Sequence, residues 1–260
     1  MPSTYAHYRL GFRTLSHLDP KIQELIRRNR QMYDLGLHGP DFLFYYNPFR
    51  KAEPMAALGS EIHHLTGREF FAPAVRQLRL QPDEGAESYL FGVLAHFALD
   101  SLCHPYVNEM AGKSAGHVEM EVELDRALLE RDGKPDPYKQ VLSRHIRLEK
   151  KEDAARIARF YSDLKPAQVQ KAISNMAWME AALAAPKGLR REIIGRGYLG
   201  NTINEHMMLL SENLRCAEFT PRLMELYTQA EVLYPVLARQ LWNHLHAAHQ
   251  LGEEFDRIFG

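Results

Sequence analysis

Three side chains able to bind a metal climb one helical face within residues 92–125, GVLAHFALDSLCHPYVNEMAGKSAGHVEMEVELD, and this stretch restricts the fold more than any other. His96, Asp100 and His104 fall at i, i+4 and i+8, a spacing that stacks side chains along a helix. A break at Pro105 and a loop through Gly112 to Gly116 are expected next. A second helical run then places His117, Glu121 and Asp125 at the same four-residue spacing. Imidazole and carboxylate together suit zinc, with manganese or iron as alternatives, and two neighbouring helices can close one such site or two. A single His-x-x-x-Asp is commonly a hydrogen-bonded pair at a core edge. Here two pairs sit among Val93, Leu94, Phe97, Val118 and Val122, where an unpaired carboxylate carries a desolvation penalty of several kcal/mol. A divalent cation removes that penalty, so metal ligation is the stronger reading.

The remaining composition narrows the function classes. Lys and Arg number 32 against 33 acids, a net charge of −1, which offers no electrostatic footprint for nucleic acid. Thirteen histidines are many for 260 residues, and eight fall in the first 120 positions. Cys103 and Cys216 are the two cysteines, too few for a disulfide framework and suited to a reducing compartment. The opening MPSTYAHYRLGF lacks the apolar core of a signal peptide, and no run of 18 apolar residues occurs. A cytoplasmic protein without stable membrane insertion is expected.

Along the chain the periodicity is helical. Residues 5–17 form a short helix carrying His7, and Asp19-Pro20 opens another, with Ile22, Leu25, Ile26 and Tyr33 as one inward stripe ending at Gly36. GPDFLFYYNPF (39–49) reads as an ordered loop with its aromatics folded inward. Residues 54–80 are helical with an interruption near Pro73, and present His63 and His64, which point about 100° apart; His63, after Ile62, is the inward choice. Pro82-Asp83-Glu84 opens the central helix. Beyond a polar connection near 130–150, helices are expected at 152–164, 166–185, 188–195 and 220–259, the last kinked at Pro235. His206, His244, His246 and His249 lack clustered acids and read as structural or surface residues, His206 beside Glu205 being the exception to watch. No stretch alternates with period two, and GxGxxG, GxxxxGK[ST] and GxSxG are absent. The expectation is an all-α multi-helix bundle with a metal site between core helices. Residues 1–260 then form a single domain, with the site in the half before about residue 130 and a helical scaffold at about 150–260.

These pieces resemble the zinc-dependent phospholipase C family, the all-α group that shares its fold with fungal single-strand-specific nucleases. The resemblance spans residues 5–125 and rests on His7, GPDF (39–42), His63, HFALD (96–100), HP (104–105) and HVEME (117–121). It implies one zinc site from Asp41, His63, His96 and Asp100, a second from His104, His117 and Glu121, and a third involving His7 and Asp100. Family members carry their next His six residues after the bridging Asp, where this chain has Tyr106; His104, four residues on, keeps to the same helical face and takes that place. The secreted phospholipases also use an N-terminal Trp on the third metal, whereas this chain begins MPSTY. Two zinc ions are therefore expected, with residues for a third.

By that resemblance the chain is a metal-dependent phosphoric ester hydrolase acting on a phospholipid or a small phosphate ester. Clustered metal ions activate water for in-line attack on a phosphodiester, and Asp41 serves as ligand or general base. Phe42, Phe44, Tyr45, Tyr46 and Phe49 either line a substrate cleft or pack the core. The alternatives are a metal-stabilised helical scaffold without activity and a nuclease-like phosphodiesterase. The charge balance disfavours the nuclease. An HD-type phosphohydrolase needs an adjacent His-Asp pair, and none occurs.

Overall fold

A computed structural model describes residues 4–50, 52–184 and 205–260; the helix expected at 188–195 lies outside them. Regular structure among these residues is helical, apart from one isolated bridge between Thr66 and Ile258. The centre is the long helix spanning Glu84–Met110, around which the other helices assemble.

Helix α1 (Thr4–Thr14) is followed by a short 3-10 turn, then α2 (Pro20–Arg28), whose N-cap Asp19 accepts the Lys21 N–H at 2.8 Å. The stripe expected to continue to Gly36 is split at Asn29. Its side-chain amide donates to the Leu25 carbonyl at 3.2 Å, its backbone leaves the helical region, and α3 (Arg30–Gly36) starts afresh. After a 3-10 segment at Gly39–Tyr45 come α4 (Pro54–His63) and α5 (Gly67–Leu80). The interruption expected near Pro73 falls instead at Leu65-Thr66, because Thr66 and Glu69 form a reciprocal capping box that restarts the helix. Pro73 then sits inside α5, where its missing N–H forgoes a single ladder bond.

Helix α6 (Glu84–Met110) is 27 residues long and opens on Asp83, which accepts the Ala86 N–H at 2.9 Å. From Gly85 to Cys103 apolar residues surround its axis on nearly every side and this part of the helix is buried, whereas Pro105, Asn108 and Glu109 near its end are exposed. It runs through Pro105 without the expected break: Cys103 and Val107 are buried on either side, and their packing outweighs one lost backbone bond. Against it lies α3, drawn close by a pair of glycines. A Cβ on Gly36 would lie 2.1 Å from the Tyr89 carbonyl oxygen, and one on Gly92 would lie 2.3 Å from that of Tyr33.

Helix α7 (His117–Arg131) follows, and the N–H of its cap residue Gly116 donates to the Glu119 carboxylate at 2.7 Å. The expected helix at 152–164 shortens to α8 (Asp153–Ala158), and the chain then turns through Asp163 at φ +61°. Helix α9 spans Pro166–Leu183 and α10 spans Thr220–Ala247 with Pro235 inside it. The C-terminal helix was expected to reach residue 259; it stops at Ala248, which adopts φ +55°, and the chain doubles back. One continuous buried apolar cluster includes residues from Leu18 to Phe259, so the last residues of the chain belong to the core of the first helices. A polar knot closes the other side. The buried Arg9 guanidinium on α1 holds Asp132 at 2.6 and 2.7 Å and Glu231 at 3.3 Å, and its carbon lies 5.2 Å from the Tyr227 ring centroid.

Candidate metal centre

Asp100, midway along α6, faces histidines from three directions. Its Oδ1 lies 3.2 Å from His7 Nε2 on α1 and 3.7 Å from His104 Nε2 one turn along α6. Its Oδ2 lies 2.9 Å from His96 Nε2, one turn back, and 3.9 Å from His63 Nε2 at the end of α4. Asp41 comes from the 3-10 segment and approaches from the far side, Oδ1 to His63 Nε2 at 3.2 Å and to His96 Nε2 at 3.7 Å. Helix α7 supplies the rest: Glu121 Oε1 is 3.1 Å from His104 Nε2 and 3.3 Å from His117 Nε2.

The donor atoms fall into three groups, His7-His96-Asp100, Asp41-His63-His96 and His104-His117-Glu121, with the atoms of each group within 4.8 Å of one another. Zinc ligands about 2.0–2.1 Å from the ion and tetrahedrally disposed lie about 3.3 Å apart, close to the separations seen here. Tautomers point the same way. His63 Nδ1–H donates to the Gly59 carbonyl at 2.7 Å, and His96 Nδ1–H to that of Leu37 at 3.3 Å, leaving both Nε2 atoms as lone pairs aimed at carboxylates. Those Nε2 atoms, together with Asp41 Oδ1, Glu121 Oε2 and His7 Nδ1, are buried without a hydrogen-bond partner. Lone pairs facing carboxylate oxygens repel unless a cation lies between them. The residues present therefore fit a group of divalent metal ions.

The electrostatics of the metal-stripped protein show the same demand. Burial pushes the His96 and His104 imidazoles down, but Asp100 overrides it in both, with Asp41 at His96 and Glu121 at His104, raising His96 and lifting His104 to about 9. Burial raises Asp100 and Glu121, and their histidines overcome it to hold both well below the usual carboxylate range.

Backbone geometry sets the rings. Gly39 adopts φ +47°, and a Cβ there would lie 2.4 Å from the His96 ring, so the segment carrying Asp41 passes the histidine only because residue 39 has no side chain. Gly39→Ala is expected to weaken zinc binding at least about 10-fold, the scale of outer-shell changes at metal sites, as measured by competition with a chromogenic chelator.

All eight candidate ligands from the sequence, His7, Asp41, His63, His96, Asp100, His104, His117 and Glu121, lie in these groups. His64 turns outward, its Nδ1–H donating to the Ser60 carbonyl at 2.7 Å, and Tyr106 is half-buried away from the groups. Asp125, which shares the four-residue spacing, does not join them: its carboxylate accepts the N–H groups of Tyr5 and Ala6 at 2.9 and 2.8 Å and so caps α1. Of the loop aromatics, Phe42 and Tyr45 are buried, Phe44 and Tyr46 half-buried, and Phe49 exposed. Among the later histidines, His246 is exposed and pairs with Glu87 at 2.8 Å. His206 is half-buried and lines a small cavity with Asp125, Tyr138 and Glu180. Sequence reasoning passed over Glu180, His38 and Phe259. Glu180 is a buried acid on α9; burial raises its pKa to about 7, and it accepts the Tyr45 hydroxyl at 3.1 Å. The His38 ring pairs with His145, Nε2 to Nε2, at 2.6 Å. None of these residues stands in a recurrent spacing that periodicity could reveal.

No curated protein and no solved structure matches the chain. The model of the zinc dependent phospholipase C family matches residues 6–187, more than half of the 260, and this stretch of the chain contains every residue of the three groups. An all-α architecture and overlapping buried His/Asp groups fitted to zinc accompany that match, and the chain belongs to the zinc-dependent phospholipase C family.

Proposed function

We propose that this protein is a metal-dependent hydrolase of phosphodiesters, phospholipase C-like, with Asp41, His63, His96 and Asp100 holding one zinc ion and His104, His117 and Glu121 a second, while His7 and Asp100 offer a third position. The observation that carries the reading is that His96 belongs to two of the ligand groups while the Asp100 carboxylate faces a histidine of each of the three, an arrangement that would hold cations side by side. Bound zinc supplies Lewis-acid chemistry: it brings the pKa of water toward 7 and neutralises charge on phosphoryl oxygens.

The chain's own residues supply orientation and proton handling. His63 and His96 are locked by their Nδ1–H bonds to backbone carbonyls, so their Nε2 atoms are fixed before substrate arrives. Asp41 has one carboxylate oxygen without a hydrogen-bond partner and lies on a 3-10 segment, not on α6; it is the group we assign to take the proton from attacking water. His117 is the most exposed of the histidine side chains in the groups, at 33%, and marks the side from which a phosphate ester enters. The whole chain, 1–260, is proposed to act as one unit, because α10 and the tail complete the packing around α6. Among the described residues no helix is long and apolar enough to cross a membrane. The proposed substrate is a phospholipid or a small soluble phosphate ester.

Zinc-loaded protein is expected to release diacylglycerol from phosphatidylcholine in mixed micelles or to cleave a soluble chromogenic phosphodiester, and chelation abolishes either activity. Asp41→Asn lowers turnover by about 100-fold or more, the scale of lost general-base catalysis. Fully zinc-loaded wild type that cleaves no phosphodiester contradicts the hydrolase reading and leaves the metal-stabilised scaffold.

A further inference from the structure

Residues 249–260 lie outside the stretch matched to the family, yet they end against the metal centre. The segment leaves α10 at Ala248 and is pinned at its start by Arg68, whose guanidinium donates to the carbonyls of Leu251 and Gly252 at 3.1 and 2.9 Å and to Asp256 Oδ1 at 2.6 Å. It then runs antiparallel to the joint between α4 and α5. The Gly67 N–H donates to the Arg257 carbonyl at 3.0 Å, the Phe259 N–H to that of Leu65 at 2.8 Å, and the Gly260 N–H to that of His63 at 3.0 Å. These are strand-like bonds made to a helix junction, and they tie the last residue described to the backbone of a candidate ligand.

Two side-chain features face the histidines directly. The Phe259 ring is fully buried, with its centroid 6.0 Å from that of His63 and 5.9 Å from that of His96, and the rings of Phe70, Phe71 and Phe97 close its other sides. Gly260 backs onto His104: a Cβ there would lie 2.5 Å from the ring Nδ1 and 3.2 Å from Asp100 Cβ. Glycine has no φ requirement at this position, so the constraint is space alone. The segment thus touches His63 on one side of Asp100 and His104 on the other, and each ring belongs to a different ligand group.

We infer that residues 249–260 form a strap that positions the His63 and His104 rings for metal and seals their backs from water, with Phe259 and Gly260 as its positioning residues. The inference rests on the metal reading of the site. A strap of this kind acts as an outer shell: it supplies no donor atom, but it fixes the orientation of two donors, and the loss of such support typically weakens metal binding 10–100-fold.

The test compares wild type, Gly260→Ala, Arg68→Ala, Phe259→Ala and Phe259→Leu as full-length proteins, stripped of metal and titrated with zinc and with Co2+. Zinc affinity is read by chelator competition, and the visible Co2+ bands report coordination geometry. Circular dichroism and melting of the metal-stripped proteins report folding. The expected result for Gly260→Ala and Arg68→Ala is wild-type circular dichroism with about 10–100-fold weaker zinc binding and altered Co2+ bands, with Phe259→Leu recovering part of what Phe259→Ala loses. Wild-type zinc affinity and Co2+ bands in Gly260→Ala overturn the strap; where that variant does not fold, the same outcome in Arg68→Ala decides. Wild type that takes up neither ion overturns the metal reading and the strap with it, whereas normal uptake by wild type with unaltered variants overturns the strap alone.

Discussion

Protein carrying Asp100→Asn binds zinc more than about 100-fold more weakly than wild type, a larger loss than outer-shell changes produce. The substitution keeps shape and volume but removes the charge shared by four imidazoles, at 2.9 to 3.9 Å from His7, His63, His96 and His104. An amide oxygen remains as a weak donor on one side, while the amide nitrogen, which has no lone pair to give, faces ring nitrogens on the other. Because the carboxylate lies between the ligand groups, the loss extends beyond one ion. Equilibrium competition with a chelator of known affinity measures it, and an Asp100→Asn protein with wild-type zinc affinity contradicts the arrangement.

The metal-stripped protein loses stability as pH rises from about 7 to about 9, and zinc abolishes this dependence. The group responsible is His104, whose pKa is lifted to about 9 against an ordinary value of 6.5. A folded-state pKa raised above the unfolded one means stability that is fully present below about 6.5 and disappears as pH passes 9; His96, raised by Asp100 and Asp41 against its burial, adds to the same slope. The His104 shift corresponds to stability on the order of 3 kcal/mol. Glu180, raised by burial to about 7, also contributes a loss with rising pH, but mostly below pH 7 and with or without metal. Asp100 and Glu121 act on the acid side: held low, they contribute stability above the usual carboxylate range that is lost as pH falls below it. Urea unfolding of chelator-treated and zinc-loaded protein at pH 6.5, 8 and 9.5 separates the two slopes. Equal pH dependence in both would show that zinc does not replace the protons of this cluster.

Part of the candidate site was legible in the sequence because several of its residues follow helical spacing. His96, Asp100 and His104 ride consecutive turns of α6, and His117 and Glu121 repeat the interval on α7, so periodicity alone grouped five of the eight. His7, Asp41 and His63 lie on separate elements; helix geometry singled out His63 over His64, and the resemblance to a family joined all three to the site. Helix starts were equally legible where a side chain caps locally, as at Asp19 and Asp83. Helix ends and breaks were not. Pro73 and Pro105 looked like interruptions but lie within helices whose surrounding packing holds the backbone, while the actual break at Asn29 arises from a side-chain bond to a carbonyl four residues back. Asp125 matched the ligand spacing and serves as a cap, because α1 arrives with its first N–H groups aimed at that carboxylate. The return of residues 249–260 to the centre depends on contacts between segments nearly 200 residues apart, and no local pattern encodes such contacts.

Elemental analysis of protein purified without a metal-affinity tag tests the central claim most directly, comparing wild type with His96→Ala and Glu121→Ala. The account predicts about two or more equivalents of zinc in wild type and a clear loss in both variants, since each removes a donor from a different ligand group. Wild type with less than about 0.2 equivalents, not restored by added zinc, would contradict it and leave the buried histidines as a purely structural network.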